Sequence, residues 1–450
     1  MNRVAKRAKY LSVIIVVFLL CAAVFINDYR TGAHIWVVHP SNRNIYKNGE
    51  LTVAGSVYSS DGVTLLQSDN NGLTYAENAN IRQATLHVIG DRDDNIASGV
   101  LSSQKNKLIG YNLLNGVYNS MNTTNNIDLT IHAELSAFAY QALGNHNGAV
   151  GIYNYETGEI LTMVSKPSFD PYNIPDITHD SYEGVFINRV MNGLYVPGSI
   201  MKVVTAYAAI ENISNIYSQT FSCDGGTWID GEWVSCNGVH GTQDFGQALA
   251  HSCNVAFAEI SLQLGADVLN SYAQKAGVKT SYHIDGVNSS AGRFDVTNAA
   301  PINLAWAGIG QYTTMVNPMQ FMLFMGAIAN GGILTAPHYI NSNSLLSSID
   351  VLNDNKRIMP ASTADQLQSL MRDNTKIMYG DGNFPNLELG AKTGTAEVED
   401  GRPHSWFVGF SSNPDIPLAF VTIVENGSGS LSAMSVSTSV LNRAAQIYGP

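Results

Sequence analysis

At 450 residues the chain has room for one large domain and a smaller one, and its 45% apolar content can fill a sizeable core, which excludes global disorder. Charged residues are only 13%, about half the usual share. The formal charge of −12 excludes broad nucleic-acid binding, which needs a basic face.

Arg3, Lys6, Arg7 and Lys9 precede an uncharged apolar run from Tyr10 to Ile26. Such a run sits at the short end of what spans a bilayer as a helix. Its basic flank predicts a cytoplasmic tail at 1–9, a transmembrane anchor at 10–26 and an exported body. A cleaved signal peptide would have a shorter apolar core and a small-x-small cleavage site, which is not found after the run. Residues 27–126 are polar and Asn-rich, and are expected to form a small, mostly β spacer or pedestal domain. Within them Gly55–Ser68 reads as two short strands around a Ser-Asp-Gly turn, and Tyr118–Asp128 as a turn-rich boundary.

From Leu129 the texture changes. LTIHAELSAFAYQAL carries apolar residues at helical spacing, and GAVGIYNYETGEILTMVSK reads as a β-hairpin turning at Glu156–Glu159. The helical stretches MKVVTAYAAIEN, NVAFAEISLQLG and PMQFMLFMGAIANGG follow. Three strand-like runs come next, LELGAKTGTAEV, SWFVGFSS and PLAFVTIVEN, and a helix closes the chain at Ser435–Tyr448. A hairpin first, helices in the middle and strands last predict an α+β domain over 127–450. Its antiparallel sheet is closed by both ends of the domain and covered by helices.

Three short motifs occur in order: Ser199-Ile-Met-Lys202, Ser252-Cys-Asn254 and Lys392-Thr-Gly394. Each alone is weak. Ser102-Ser-Gln-Lys105 repeats the first, and Ser-x-Asn recurs at Ser68, Ser120 and Ser411. A lone copy reads as a helix cap or a solvated helix face, so order and context carry the weight. Pro197-Gly198 and a following helix place Ser199 at a helix N-terminus, with Lys202 one turn on along the same face. A serine hydroxyl needs a base beside it, and a lysine serves only if burial or cationic neighbours keep it neutral. Ser252 and Asn254 fall between two helices, where a hydroxyl can relay a proton and an amide can hold a substrate amide. Lys392, Thr393 and Gly394 lie on a strand whose edge can offer N–H groups to an oxyanion and pair with an extended peptide.

The cysteines leave alternatives open. Cys21 lies in the apolar run. Cys223 and Cys236 bracket a Gly-rich loop and in an oxidising compartment are able to close a disulfide. Cys223, Cys236, His240 and Cys253 are all metal-ligand types, but their spacing matches no standard zinc pattern. No metal and no cofactor are expected.

These motifs resemble the Ser-x-x-Lys, Ser-Asp-Asn and Lys-Thr-Gly of penicillin-binding proteins and class A β-lactamases. From about Leu129 to the C-terminus the chain resembles the transpeptidase domains of class B penicillin-binding proteins. The resemblance runs through YETGEILTMVSKPSFDPYNI, PGSIMK, HSCNVAF, GIGQYTTMVNPMQ, AKTGTAE and HSWFVGF. The N-terminal part is only weakly similar to that family's pedestal, with Ala54 where an arginine is expected. The resemblance implies a sheet with an all-helical subdomain and a peptidoglycan D,D-transpeptidase acylated by β-lactams. It gives Ser199 as nucleophile, Lys202 as base, and Ser252 and Asn254 as aids to proton transfer and placement. Lys392 and Thr393 would contact the substrate carboxylate, and the N–H groups of Ser199 and Thr395 would form the oxyanion hole. It further implies peptidoglycan stem peptides as substrates and a SEDS-type glycosyltransferase as membrane partner, since no polymerase module precedes Leu129. Cys253 stands where class A β-lactamases carry Asp, and no Glu-x-x-Leu-Asn segment follows, so an amine acceptor is expected over water. The alternatives are a D,D-carboxypeptidase or β-lactamase on the same fold, or a catalytically silent scaffold. His404 is expected to be a structural polar residue.

Overall fold

The computed structural model describes residues 2–69, 71–113, 115–117, 125–341, 355–398, 402–427 and 429–449. The chain divides into two compact units, one of residues 1–57, 66–75 and 104–127, the other of 58–65, 76–103 and 128–450. Most of the turn-rich stretch expected at Tyr118–Asp128 lies outside the described residues.

The first unit begins with the helix α1 (Asn2–Val37), which by length and composition is able to cross a membrane. It runs past the apolar stretch at 10–26 because Asn27–Val37 contains no proline, and the Thr31 hydroxyl donates back to Asn27 O at 3.0 Å. Behind it, Tyr46–Lys47 pairs with Glu50–Leu51 across Asn48-Gly49, both with positive φ (52° and 85°). That dipeptide is the one a two-residue hairpin turn demands.

The second unit includes the helix Ala79–Ile89, capped by Asn78, and continues from residue 128 with α2 (Ala133–Ala142), started by His132, whose ring accepts Leu135 N–H. The expected hairpin follows as β1 (Gly148–Asn154) and β2 (Ile160–Lys166). The helices are α3 (Met201–Asn212), α4 (Phe245–Ala250), α5 (Asn254–Lys275), α6 (Pro301–Gly308), α7 (Pro318–Ala329) and α8 (Ala361–Asn374). Strands β3 (Leu389–Ala396), β4 (His404–Ser411) and β5 (Leu418–Val424) and the helix α9 (Ala433–Tyr448) complete the chain. Local chemistry sets several of these starts. Asp244 with Gln247, and Asn317 with Gln320, form capping boxes at α4 and α7, the latter with Pro318 in the first turn. Gly265 (φ 76°) breaks α5 where the sequence pattern ends.

All five strands join one antiparallel sheet in the order β3-β4-β5-β1-β2, so the two ends of the unit meet at β5 and β1. On one face α2 and α9 pack through Leu135, Leu143, Val436 and Val440 against Val150, Ile152, Phe407 and Phe420. Against the other lies α7, buried along nearly its whole length. Each fully buried Leu or Phe here contributes roughly 1.5–3 kcal/mol. Gly151 and Gly326 matter to this contact, since a Cβ on Gly326 would lie 2.5 Å from the Tyr153 ring. The sheet therefore holds β3 as an edge strand on a rigid base.

Candidate active site

Ser199 sits in a single 3-10 turn, Gly198–Ile200, that runs directly into α3. Three contacts brace this turn. Gly198 N–H donates to Gly310 O at 2.9 Å, Tyr195 N–H to Val316 O at 2.9 Å, and the Trp406 indole of β4 to Val196 O at 3.0 Å. Gly198 has φ +54°, and a Cβ there would lie 2.1 Å from Thr395 O on β3. Only glycine lets the Ser199 turn approach the edge strand so closely.

One turn along α3, Lys202 is completely buried. Its Nζ lies 3.1 Å from Ser199 Oγ, 3.2 Å from Ser252 Oγ, 2.7 Å from Asn254 Oδ1 and 2.5 Å from Ser252 O. Two of these four oxygens are carbonyls and can only accept. A neutral amine gives its two hydrogens to them and turns its lone pair toward the hydroxyls. Burial pushes the Lys202 ammonium down to a pKa of about 7, with Cys236 and Cys253 opposing the shift.

Ser252 lies in the turn between α4 and α5, as its sequence context predicts, and Asn254 is the first residue of α5. Ser252 adopts a left-handed backbone (φ 55°), which costs roughly 1–2 kcal/mol for a non-glycine residue. In that conformation both its carbonyl and its hydroxyl reach Lys202. Asn254 Nδ2 donates to Ser235 O at 2.8 Å, and Asn254 N–H to Cys236 Sγ at 3.2 Å.

On the edge strand β3, Lys392 Nζ donates to Ser252 Oγ at 2.9 Å and to Thr393 O at 3.0 Å. Ser252 thus spans two buried lysines. Burial, reinforced by the Lys202 charge, holds Lys392 well below its ordinary pKa. Thr393 and Thr395 line a cleft of about 350 Å³ together with Ser199, Ser252 and Asn254. Gly394 lies where a Cβ would come within 2.9 Å of Pro197 O and Ile200. All eight predicted site residues therefore meet in one place. The decoy does not: the Ser102 hydroxyl contacts Asp94 and Ile96 O. His404 accepts Asn426 N–H and stacks edge-on against Tyr195, lining a different cavity.

Two features escape motif reasoning. Tyr379, in a short π-helical turn at Thr375–Tyr379, accepts Thr393 N–H at 2.8 Å and meets Thr393 Oγ1 at 2.9 Å. No pattern in TKIMY announces it. The second is sulfur chemistry. All four cysteines are free, and the ligand atoms of Cys223, Cys236, His240 and Cys253 lie within 4.8 Å of one another beside the cleft.

The model of the penicillin binding protein transpeptidase domain family matches residues 148–446. The chain is 27% identical over 369 residues to "Peptidoglycan D,D-transpeptidase PbpA" of Mycolicibacterium smegmatis, covering 74% of each. Its fold is similar to that of the D,D-transpeptidase domain of a peptidoglycan glycosyltransferase from Eggerthella lenta, with a TM-score of 0.73 at 21% identity, over 88% of this chain and 99% of that one. It is similar also to penicillin-binding protein A from M. tuberculosis, seen as an imipenem acyl-enzyme, with a TM-score of 0.71 at 23% identity, over 87% and 98%. With two thirds of its length matched and the three motifs gathered around one serine, the chain belongs to the penicillin-binding protein transpeptidase family.

Proposed function

We propose that the chain is a peptidoglycan D,D-transpeptidase that works through an acyl-enzyme on Ser199 and is acylated there by β-lactams. The observation that carries this is the buried amine of Lys202, 3.1 Å from Ser199 Oγ, with the Ser252 hydroxyl spanning Lys202 and Lys392. Support comes also from the relative named as a D,D-transpeptidase and from the imipenem acyl-enzyme of the mycobacterial protein.

Ser199 Oγ attacks the carbonyl carbon of the penultimate D-Ala of a stem peptide, and its proton passes to the lone pair of neutral Lys202. The backbone N–H groups of Ser199 and Thr395 hold the oxyanion, Ser199 at a helix N-terminus and Thr395 on the strand beside it. The intermediate collapses, the C–N bond breaks, and the leaving D-Ala amine takes a proton relayed from Lys202 through Ser252. Asn254 holds Lys202 and the substrate amide, and Lys392 with Thr393 binds the terminal carboxylate. An amine from a neighbouring stem then attacks the ester, forms the cross-link and returns the proton to Ser199. In a β-lactam the same attack opens the ring amide.

The helix α1 is a single-span anchor, with Arg3, Lys6, Arg7 and Lys9 holding its start in the cytoplasm. Residues 27–126 are a spacer, and 127–450 the catalytic domain outside the membrane. A SEDS-type glycosyltransferase supplies the glycan strands.

The test is labelling of the full-length protein in detergent with a fluorescent penicillin, with the adduct mapped by mass. Wild type and Ser102→Ala should label on the Ser199 peptide, and Ser199→Ala should not. Labelling that survives in Ser199→Ala would sink the assignment. With a D-Ala–D-Ala peptide and an added amine, transfer should exceed hydrolysis; dominant hydrolysis would make the enzyme a carboxypeptidase.

A further inference from the structure

Three thiols and an imidazole converge behind one wall of the active-site cleft. Cys223 ends the strand Thr220–Cys223, Cys236 follows the strand Glu232–Ser235, His240 precedes the strand Gly241–Asp244, and Cys253 caps α5. Two hairpins bring these ligands together despite a chain spacing that matches no standard zinc pattern. Pairing of Cys223 with Gly241 sets His240 beside Cys223, and the inner hairpin from Gly226 to Ser235 returns Cys236 to the same point. Each ligand is thus delivered by the end of a strand or the start of a helix, and Cys223 and Cys253 are fully buried.

The distances separate the uses such a cluster can have. Bonded sulfurs lie about 2.05 Å apart, whereas Cys236 and Cys253 Sγ are 3.8 Å apart and every cysteine is free. A tetrahedral zinc, about 2.3 Å from sulfur and about 2.0 Å from nitrogen, spaces its ligands about 3.8 Å apart for two sulfurs and about 3.5 Å for sulfur and nitrogen. Cys236 Sγ and His240 Nδ1 are 3.6 Å apart. Both edges have tetrahedral length, and all four ligand atoms fall within 4.8 Å of each other. Three soft thiolates with one imidazole favour zinc over oxygen-seeking ions.

We propose that Cys223, Cys236, His240 and Cys253 bind one zinc ion in a closed four-ligand site that clamps the 223–240 loop onto the Ser252–Asn254 turn. This goes beyond the expectation of a metal-free enzyme. With four protein ligands the ion keeps no open position, so it is structural and takes no part in acyl transfer. Binding releases the thiol protons to solvent. Its consequence reaches Asn254, which is held through three groups. N–H goes to Cys236 Sγ, Nδ2 to Ser235 O, and Oδ1 meets Lys202 Nζ. Two of those three partners belong to the clamped loop, and Ser235, Cys236 and Asn237 also line the cleft. Zinc is therefore a positioning device for the second motif.

The test uses the full-length protein purified in detergent without chelator. Metal analysis should find about one zinc per chain, unchanged in Cys21→Ser and lost in Cys223→Ser and Cys236→Ser. Wild type stripped with a strong chelator should take up cobalt with the intense visible bands of a tetrahedral thiolate site. Stripping should slow penicillin labelling roughly tenfold, and added zinc should restore it. Cys223→Asp, which keeps a ligand, should retain metal if Cys223→Ser fails to fold. Wild type that labels with penicillin yet holds no stoichiometric zinc and takes up no cobalt overturns the proposal. So does an intact mass two hydrogens lighter, which marks a disulfide among these cysteines. Metal content is counted independently of labelling, so a failure of Ser199 to label bears on the nucleophile and not on the zinc site.

Discussion

Acylation of Ser199 should switch on as pH rises through neutrality. As the proposed base, Lys202 acts only as its unprotonated amine, and burial holds that group at a pKa of about 7. At pH 6 about a tenth of the enzyme then has a neutral Lys202, and at pH 8 about nine tenths. The second-order rate constant for β-lactam acylation should therefore increase roughly tenfold over that interval, which corresponds to about 1.4 kcal/mol. Lys392 also sits well below its ordinary pKa and shares Ser252 with Lys202, so the observed midpoint belongs to the pair. The assay is the rate of covalent labelling by a fluorescent penicillin, quenched at intervals between about pH 5.5 and 9, with Lys202→Met as control. That variant should label about 100-fold or more slowly and show no rise with pH. A wild-type rate that is flat or falls between pH 6 and 8 would refute the lysine as base. A midpoint near that of a solvated lysine would refute the effect of its burial.

Two further outcomes test how the site is held. Gly198→Ala places a methyl group 2.1 Å from Thr395 O at a residue with φ +54°, so it should cost about 1–3 kcal/mol in chemical denaturation and abolish labelling. Wild-type labelling in that variant would show that the nucleophile turn does not depend on its contact with β3. Tyr379→Phe leaves the Thr393 N–H without its partner at 2.8 Å, a loss of about 1–3 kcal/mol where the group is buried. It should raise KM for a D-Ala–D-Ala peptide more than it lowers kcat, and an unchanged KM would remove Tyr379 from the carboxylate end of the cleft.

Much of this site was legible in the sequence because its chemistry is tied to local geometry. Ser199 and Lys202 are one helical turn apart, so their spacing alone puts them on one face once Pro197-Gly198 marks the helix start. The sheet was legible for a similar reason: short runs rich in apolar, β-branched and aromatic residues at 389–396, 404–411 and 418–424 read as strands with no knowledge of their partners. Tyr379 was not, because its role depends on a π-turn that aims the phenol across at Thr393, and single aromatic residues carry no such signal. The sulfur cluster was half legible. Its residue types are metal-ligand types, but its spacing matches no standard pattern, since hairpin pairing rather than chain separation brings Cys223 to His240. Helix α1 outran its apolar core because nothing between Asn27 and Val37 ends a helix, and hydropathy reports only the part that prefers lipid.

The meeting of β1 with β5 has a consequence for how the protein is made. Gly148–Asn154 is synthesised early, yet its partner Leu418–Val424 emerges almost at the end of the chain. Until then the edge of β1 that takes β5 is bare, and closing so long a loop is entropically costly. Such long-range pairing folds slowly. The strand carrying Lys392 joins the sheet through β4 and β5, so no chain ending before about residue 418 can seat it beside Ser199. Molecules clipped on the N-terminal side of β5 should therefore fail to label with a fluorescent penicillin even when Ser199 and Lys202 are intact.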